Sequence, residues 1–366
     1  MQLIYLSPLP WNSFEQRPHR FVQWFHATTG GSVLWIDPYA SRLPAVSDVF
    51  RANRKQSLVC PDCPSWLTVK SVYSMPIEPL GFLSQVNLLF WHAIFAEVRR
   101  LVAKDRVFLA IGKPSKLAMA LLKTFPFSTS LYDAMDNFPA FYGGISRYSF
   151  AATELQIMQS VDKVLVSSTA LHDKWSLIRP VILTKNASDV FDTSLSYPES
   201  ANDSPPVLGY VGTVAKWFDW DMVLKLAHAN PHARIRIIGP HYVRVPDNLP
   251  SNIELLPECL NDQAIRAMQK FTIGLIPFKR DGLTESVDPI KYYEYRALGI
   301  PVISSSFGEM LMHNVDDEGL FLVDAEMDAA KIVEHALSAP QKTEWIDSFR
   351  KENSWANRFD SVDVFS

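Results

Sequence analysis

Short runs of apolar, β-branched and aromatic residues alternate along this chain with longer helical stretches, the pattern of βαβ units building a largely parallel sheet. In the first half the strand runs are 2–6, 32–36, 67–72, 107–111, 128–132 and 163–167, with helices expected around 19–26, 82–102, 115–122, 150–159 and 170–175. In the second half the strand runs are 207–211, 234–238, 252–256, 273–276 and 301–305, separated by helices over 221–229, 262–270 and 289–298. No sequence repeat is visible; only the architecture recurs. Between the halves, 194–206 is a polar Pro/Ser/Asn segment without apolar periodicity, which reads as a linker. The expected organisation is α/β, with doubly wound domains over 1–193 and 207–340 and a helical tail over 341–366 that returns to the first domain. Open α/β sheets bind ligands beyond the C-terminal ends of their strands, so the site is expected in a cleft between the halves.

The stretch Asp288-Pro-Ile-Lys291-Tyr-Tyr-Glu294 carries the most chemistry. Asp288 is a good N-cap and Pro289 a good first helical residue, which puts Lys291 at the third helical position, where a capping box would place Glu or Gln. A lysine there opposes the helix dipole, yet free backbone N–H groups beside a lysine suit a phosphate. Glu294, on the same face, could accept hydrogen bonds from the vicinal hydroxyls of a ribose. The plain alternative is a surface ion pair at helical spacing. Gly212, Thr213 and Lys216 follow the 207–211 strand, where glycine permits close backbone approach and Lys216 adds charge. Glu258 hangs in the loop after 252–256, before Asp262, a cap for the next helix.

In the first half, Tyr132-Asp133-Ala-Met-Asp136 places two carboxylates just past a buried strand, where one could deprotonate an incoming hydroxyl if partial burial tuned it. Helix capping or a satisfied turn would explain either residue without catalysis. Arg17, His19 and Arg20 precede the first helix and fall near the same edge; Arg17 and His19 are the acceptor-side candidates.

Composition narrows the function. The 366 residues suggest two domains, 48% hydrophobic and 20% charged residues mark a globular chain, and a net charge of −4 lacks the footprint of a nucleic-acid binder. No Lys or Arg precedes the apolar residues 3–6, so a secretory signal is not expected, and no apolar run is long enough to span a bilayer, so the expected location is cytoplasmic. Three cysteines cannot make a disulfide framework, and Cys60-Pro-Asp-Cys63 has metal-pair or redox spacing without a second pair, which leaves an ordinary loop as the reading. The 82–106 segment is aromatic-rich and ends in Arg99, Arg100, Lys104 and Arg106. It could lie on an anionic membrane, as could Arg51, Arg54 and Lys55, although a helix apolar around most of its circumference more often packs inside.

Gly212 after a strand, the Glu258 loop and the Lys291-x-x-Glu294 helix together resemble the nucleotide-binding half of GT-B fold glycosyltransferases, and Tyr132-Asp-Ala-Met-Asp136 is similar to a motif of bacterial exopolysaccharide enzymes of that fold. The resemblance implies two Rossmann-like domains facing a cleft. It also implies a nucleotide sugar, UDP-linked, as substrate rather than cofactor, and a saccharide or lipid-linked acceptor. Asp136 would be the general base with Asp133 in reserve, Lys291 would bind the donor diphosphate, Glu294 the ribose, and Glu258 would lie near the donor. Peripheral association with the inner face of the cell membrane follows from lipid-linked acceptors. Retaining members carry two glutamates with seven residues between them; the matching position here is Ser286, with Glu285 one place off, which favours inversion. No metal is needed if Lys291 and the helix N-terminus neutralise the leaving diphosphate. The competing readings are a sugar-nucleotide epimerase and a catalytically idle nucleotide-sugar binder. A dinucleotide-dependent dehydrogenase is disfavoured because no Gly-x-Gly-x-x-Gly follows an early strand.

Overall fold

A computed structural model describes residues 1–41, 43, 63–190, 205–259, 261–324, 326, 328–340 and 343–364. Most of the expected linker, up to 204, lies outside the described residues, as do Arg51, Arg54, Lys55 and Cys60; Cys63 is disulfide-bonded, so it is not a free loop thiol.

The chain forms two units, one of Met1–Ser167, Leu171–Thr184 and Val362–Ser366, the other of Ser168–Ala170 and Lys185–Ser361. The first holds strands β1 (Gln2–Leu6), β2 (Ser32–Ile36), β3 (Leu67–Lys70), β4 (Val107–Ile111), β5 (Thr129–Ala134), β6 (Lys163–Val166) and β7 (Ile182–Leu183). They form one parallel sheet in the order β3-β2-β1-β4-β5-β6-β7. The strands read as near-continuous apolar runs because helices cover both faces of such a sheet; every residue of β4 and β5 is buried. One core cluster joins Ile4, Leu34, Ile36, Leu109 and Val166 to Trp91, Ile94 and Val98.

The second unit holds β8 (Val207–Val211), β9 (Arg234–Ile238), β10 (Ile253–Leu256), β11 (Ile273–Ile276), β12 (Val302–Ser305) and β13 (Leu320–Val323), a parallel sheet in the order β10-β9-β8-β11-β12-β13. Alternation inside the apolar runs divides its core: Val211, Ile238, Ile276 and Val302 pack on one face, Leu208, Tyr210, Ile235, Ile237 and Leu275 on the other. Helices Thr343–Glu352 and Trp355–Asp360 belong to this unit; of the expected C-terminal tail only Val362–Ser366 falls in the first.

Three local expectations are corrected. The helix expected over 82–102 is a 3-10 segment Glu78–Val86 followed by helices Asn87–Phe90 and His92–Val102, because Gly81 turns at φ 59° and Trp91 departs from helical geometry to enter the core. The helix expected to start at Pro289 is Ile290–Ala297 with Pro289 as N-cap, so Lys291 is its second residue and Asp288 lies outside it. Asp262 is a first-turn residue of helix Asn261–Met268 rather than its cap. Asp219 does cap helix Trp220–Ala229, accepting from Met222 N at 3.1 Å. Among the described residues no helix is long and apolar enough to cross a membrane.

Candidate functional site

In the first unit the chemistry gathers at the C-terminal end of β5. Asp133 is not beyond the strand but inside it, fully buried, and it accepts from Arg17 Nε at 3.0 Å and from Arg17 Nη2 at 2.8 Å. Arg17 opens helix Arg17–Thr29, is itself buried, and sends Nη1 to the carbonyl of Thr184 at 2.7 Å. A buried pair of this kind is justified only by saturating bonds, which these two residues give one another. Arg17 is therefore neither a surface residue nor free for an acceptor. His19 is buried too. Its Nδ1 accepts from Gln16 N at 3.2 Å and its Nε2 donates to Trp11 O at 2.9 Å, with the ring against both Trp11 and Trp35, which also touch each other. Burial pushes its pKa down, so the neutral ring completes a helix cap and leaves no nitrogen for substrate.

Asp136 differs from both. It is half-buried in the loop that follows β5, and its carboxylate accepts no hydrogen bond among the described residues. Loss of water around it pushes its pKa up to about 7; Arg17 partly offsets this and the Asp133 charge reinforces it. The loop is held by bonds that leave that carboxylate alone. Ser167 Oγ donates to Met135 O at 2.8 Å, and Phe138 N donates to the Asp136 carbonyl at 3.0 Å.

The strand order of this sheet reverses between β1 and β4, the point at which open α/β sheets take ligands. A crevice of about 20 Å3 lies there, lined by Ser7, Asp37, Tyr39, Lys113 and Ser115 among others. Beneath it Glu78, buried, accepts from Tyr39 Oη and from Lys116 N at 3.3 Å, at the start of helix Lys116–Thr124. Burial pushes Glu78 up to about 7, with these bonds and Lys113 opposing. Sequence reasoning missed this group, since nothing in the local pattern ties Tyr39, Glu78 and Lys116 together. Two strand spacings, about 10 Å, separate β1 from β5.

In the second unit the parallel strands send the loops after β8, β10 and β11 to one edge. Helix Ile290–Ala297 is seated against β8 and β11 by Tyr295: Val211 N donates to its hydroxyl at 3.3 Å, that hydroxyl donates to Gly209 O at 3.3 Å, and a Cβ on Gly274 would come within 2.4 Å of its ring. Lys291 lies one turn earlier on the same face of that helix. Lys291 Nζ and Glu294 Oε2 form the ion pair of the plain alternative at helical spacing, but with side chains only 16% and 11% exposed. Gly212 is crossed by the β9 loop so closely that a Cβ on Gly239 would meet Gly212 O at 2.1 Å. Thr213 sits beside it, its carbonyl bonded to Tyr210 Oη at 3.0 Å. Lys216 and Glu258 are exposed and have no partner among the described residues.

Asp288 has another task than capping. Buried, it accepts from Asn186 N at 2.7 Å, from Tyr293 Oη at 3.0 Å and from His313 Nε2 at 3.2 Å, fixing the loop that leads into the Lys291 helix. Ser286, buried, holds the place of the first glutamate of a retaining pair, and Glu285 points to solvent. An Asp-x-Asp does occur in this half, Asp219-Trp-Asp221, but Asp219 is engaged as the helix cap. Among the described residues no three His, Cys, Asp or Glu side chains converge on a metal position. A larger cavity, about 150 Å3 beside Arg296, Asp317 and Trp345, opens at the opposite edge of this sheet, before β12 and β13.

No family model matches the chain. Over its whole length it superposes on sucrose-phosphate synthase from Thermosynechococcus elongatus, with TM-score 0.65, 14% identity and coverage of 100% of this chain and 95% of that one. It is similar also to WaaG, a glycosyltransferase of lipopolysaccharide biosynthesis (TM-score 0.61, 14% identity, 99% and 96% covered). Anabaena HepE, solved with UDP and glucose, matches at TM-score 0.60 and 14% identity, with 100% and 96% covered. The fold is that of the GT-B glycosyltransferases. In sequence the chain is 23% identical over 208 residues to TuaH of Bacillus subtilis (strain 168), whose assignment as a teichuronic acid biosynthesis glycosyltransferase is itself provisional. The match spans 48% of this chain and 50% of that relative's length.

Proposed function

We propose that this chain is a glycosyltransferase that moves a sugar from a nucleoside diphosphate, UDP in the first instance, to a hydroxyl of a saccharide or lipid-linked acceptor in surface polysaccharide synthesis. The observation that carries the reading is Asp136: a half-buried carboxyl at a strand end, without a hydrogen-bond donor of its own, held near neutral pH. A base must be free to take a proton and have an affinity matched to the working pH, and Asp136 meets both conditions. Asp133, closed off by Arg17, is not free to take one. In the proposed reaction the acceptor oxygen gives its proton to Asp136 and bonds to the anomeric carbon as the bond from that carbon to the diphosphate oxygen breaks. Lys291 and the N–H groups of the first turn of its helix take up the charge of the departing diphosphate, and Glu294 meets the ribose hydroxyls, leaving its bond with Lys291 when donor arrives. Gly212 and Thr213 let the donor approach the backbone, with Lys216 and Glu258 at the rim.

A single displacement inverts the anomeric centre, and Ser286 at the retaining position supports that outcome. Charge neutralisation by Lys291 and the helix removes the need for a metal. The likeness to HepE, solved with UDP and glucose, supports the donor class, and the partial match to TuaH supports the polysaccharide setting, on the cytoplasmic side where nucleotide sugars are made. The test is incubation with a panel of nucleotide sugars and saccharide acceptors, scored by nucleoside diphosphate release, for the wild type and Asp136→Asn. Transfer by the wild type that collapses in the variant, with donor still bound, supports the reading. Donor binding without turnover in either protein would make it an idle binder, and isomerised sugar nucleotide an epimerase.

A further inference from the structure

Lys174 lies in helix Thr169–Ser176, and its ammonium is held from three sides. Nζ stands 3.6 Å from a carboxylate oxygen of Glu154, donates to Asn137 Oδ1 at 3.3 Å and lies 4.2 Å from the centre of the Trp175 ring. An ammonium has several protons to give and gains from an aromatic face, so two acceptors and a ring fix an otherwise flexible side chain. Two of these partners are anchored in turn. Trp175 is part of the core of the first unit. Glu154 is buried on helix Gly144–Ser160, where it also accepts from Tyr132 Oη at 2.7 Å. Burial pushes the Glu154 pKa up, and Lys174 is the chief group opposing it, so the two depend on one another.

The third partner belongs to the loop of Asp136. Asn137, half-buried, follows Asp136 directly and leads into the 3-10 turn Phe138–Phe141. Phe138 N and Ala140 N donate to the carbonyls of Asp136 and Asn137, bonds that shape the loop without seating it. Its seats are elsewhere. Ser167 Oγ holds the carbonyl of Met135 on one side of Asp136, and Lys174 holds the Asn137 side chain on the other. The charges that shift Asp136 are those of Arg17, from helix Arg17–Thr29, and Asp133, from its own strand; Tyr132 feels the Asp136 charge in turn. Lys174 is not among them. Its influence on Asp136 therefore runs through the loop, by keeping the carboxyl where water is scarce.

We infer that Lys174 is a positioning residue for the proposed transfer: anchored by Glu154 and Trp175, it seats Asn137 and so fixes the place of Asp136 against the acceptor hydroxyl. The inference rests on Asp136 as the base of that reaction. Sequence alone gives no sign of it, since Asn137 and Lys174 are 37 positions apart.

The experiment compares Asn137→Ala, Lys174→Met and the double variant with the wild type. Asn137→Ala cuts the tie but leaves the pair of Lys174 and Glu154 whole, so it tests the contact even where Lys174→Met is weakened by a stranded Glu154. The first measurement follows the Asp136 carboxyl carbon by NMR against pH, with Asp136→Asn identifying its signal, and needs no substrate. A freed loop admits water, and Asp136 is expected to hold its proton about tenfold less tightly in each single variant. The second is the pH profile of transfer. Its acid limb is expected to move to lower pH to match, with turnover on the plateau down about tenfold and donor affinity unchanged. The double variant should be no slower than Lys174→Met, since both changes cut one contact. An Asp136 titration unchanged in both single variants overturns the inference, as does a double variant whose losses in turnover multiply. A titration that moves while the transfer profile stays would uphold the seating and refute Asp136 as the base, which separates the two readings.

Discussion

Replacing Asp136 with asparagine should make the protein less active and more stable at once. The carboxyl has an ordinary pKa of 3.8 and is pushed up to about 7 in the folded chain, a difference worth at most about 4 kcal/mol against the ionised form at 1.36 kcal/mol per tenfold in proton affinity. Solvent reaches the half-buried group, so roughly 1–3 kcal/mol is the expected size. The sign follows from linkage. Between about pH 4 and 7 the folded state holds a proton that the unfolded state has released, so stability declines as pH rises through that window, and the full penalty is present above it. Asparagine keeps the shape without the charge, and its variant should match the wild type near pH 4 and exceed it by about 1–3 kcal/mol at pH 8, read from urea midpoints. Activity should run the other way: wild-type transfer rises as Asp136 ionises through about pH 7, and the variant should transfer at least about a hundredfold more slowly. A variant no more stable than the wild type at pH 8 would refute the burial argument, and one that transfers normally with the wild-type pH profile would refute the base.

Asp133→Asn should do the opposite for stability, costing about 3–5 kcal/mol by leaving Arg17 buried without its counter-charge; a folded Asp133→Asn protein of normal stability but no activity would move the base to Asp133. Lys291→Ala should lower turnover by roughly 2–4 kcal/mol in barrier with a smaller effect on donor affinity, and steady-state kinetics with unchanged kcat would exclude that role. Glu294→Ala should chiefly weaken donor binding, measurable by calorimetry with the nucleoside diphosphate; because the change also frees Lys291, turnover at saturating donor should survive. Asp219→Ala should cost about 1 kcal/mol through the lost cap and leave activity in chelator as it is without chelator, whereas activity that needs added divalent metal would give the Asp219-Trp-Asp221 pair a second role.

The strands were legible because a parallel sheet buried on both faces requires continuous apolar runs; β1, β2, β4, β8, β9 and β11 fall where the runs do. The two strands that escaped are edges. β7 is two exposed residues, and β13 is buried fully only at Leu320, so neither needs a strong apolar signature. Helix starts were less legible where tertiary bonds override local chemistry. Asp288 has the composition of a cap but turns inward to Asn186 and Tyr293, and Trp91 breaks a helix because the core holds its ring. The same limit applied to the site. Positions of carboxylates at strand ends could be read from the chain, but which of them is engaged depends on partners far away in sequence, as Arg17 is from Asp133.

That distinction bears on how a base is recognised at all. Two carboxyls in the first unit, Glu78 and Asp136, are pushed to about 7 by the same cause, burial, and both lie toward the edge of the sheet where ligands bind. A raised pKa therefore does not choose between them. Hydrogen bonding does: Glu78 accepts from the Tyr39 hydroxyl and the Lys116 amide and so helps hold the start of a helix, and removing it would release both donors. Asp136 accepts none, and taking up a proton there breaks nothing. A base needs an oxygen open to the hydroxyl it deprotonates, and of Glu78 and Asp136 it is Asp136 whose carboxylate is not already taken up by protein donors.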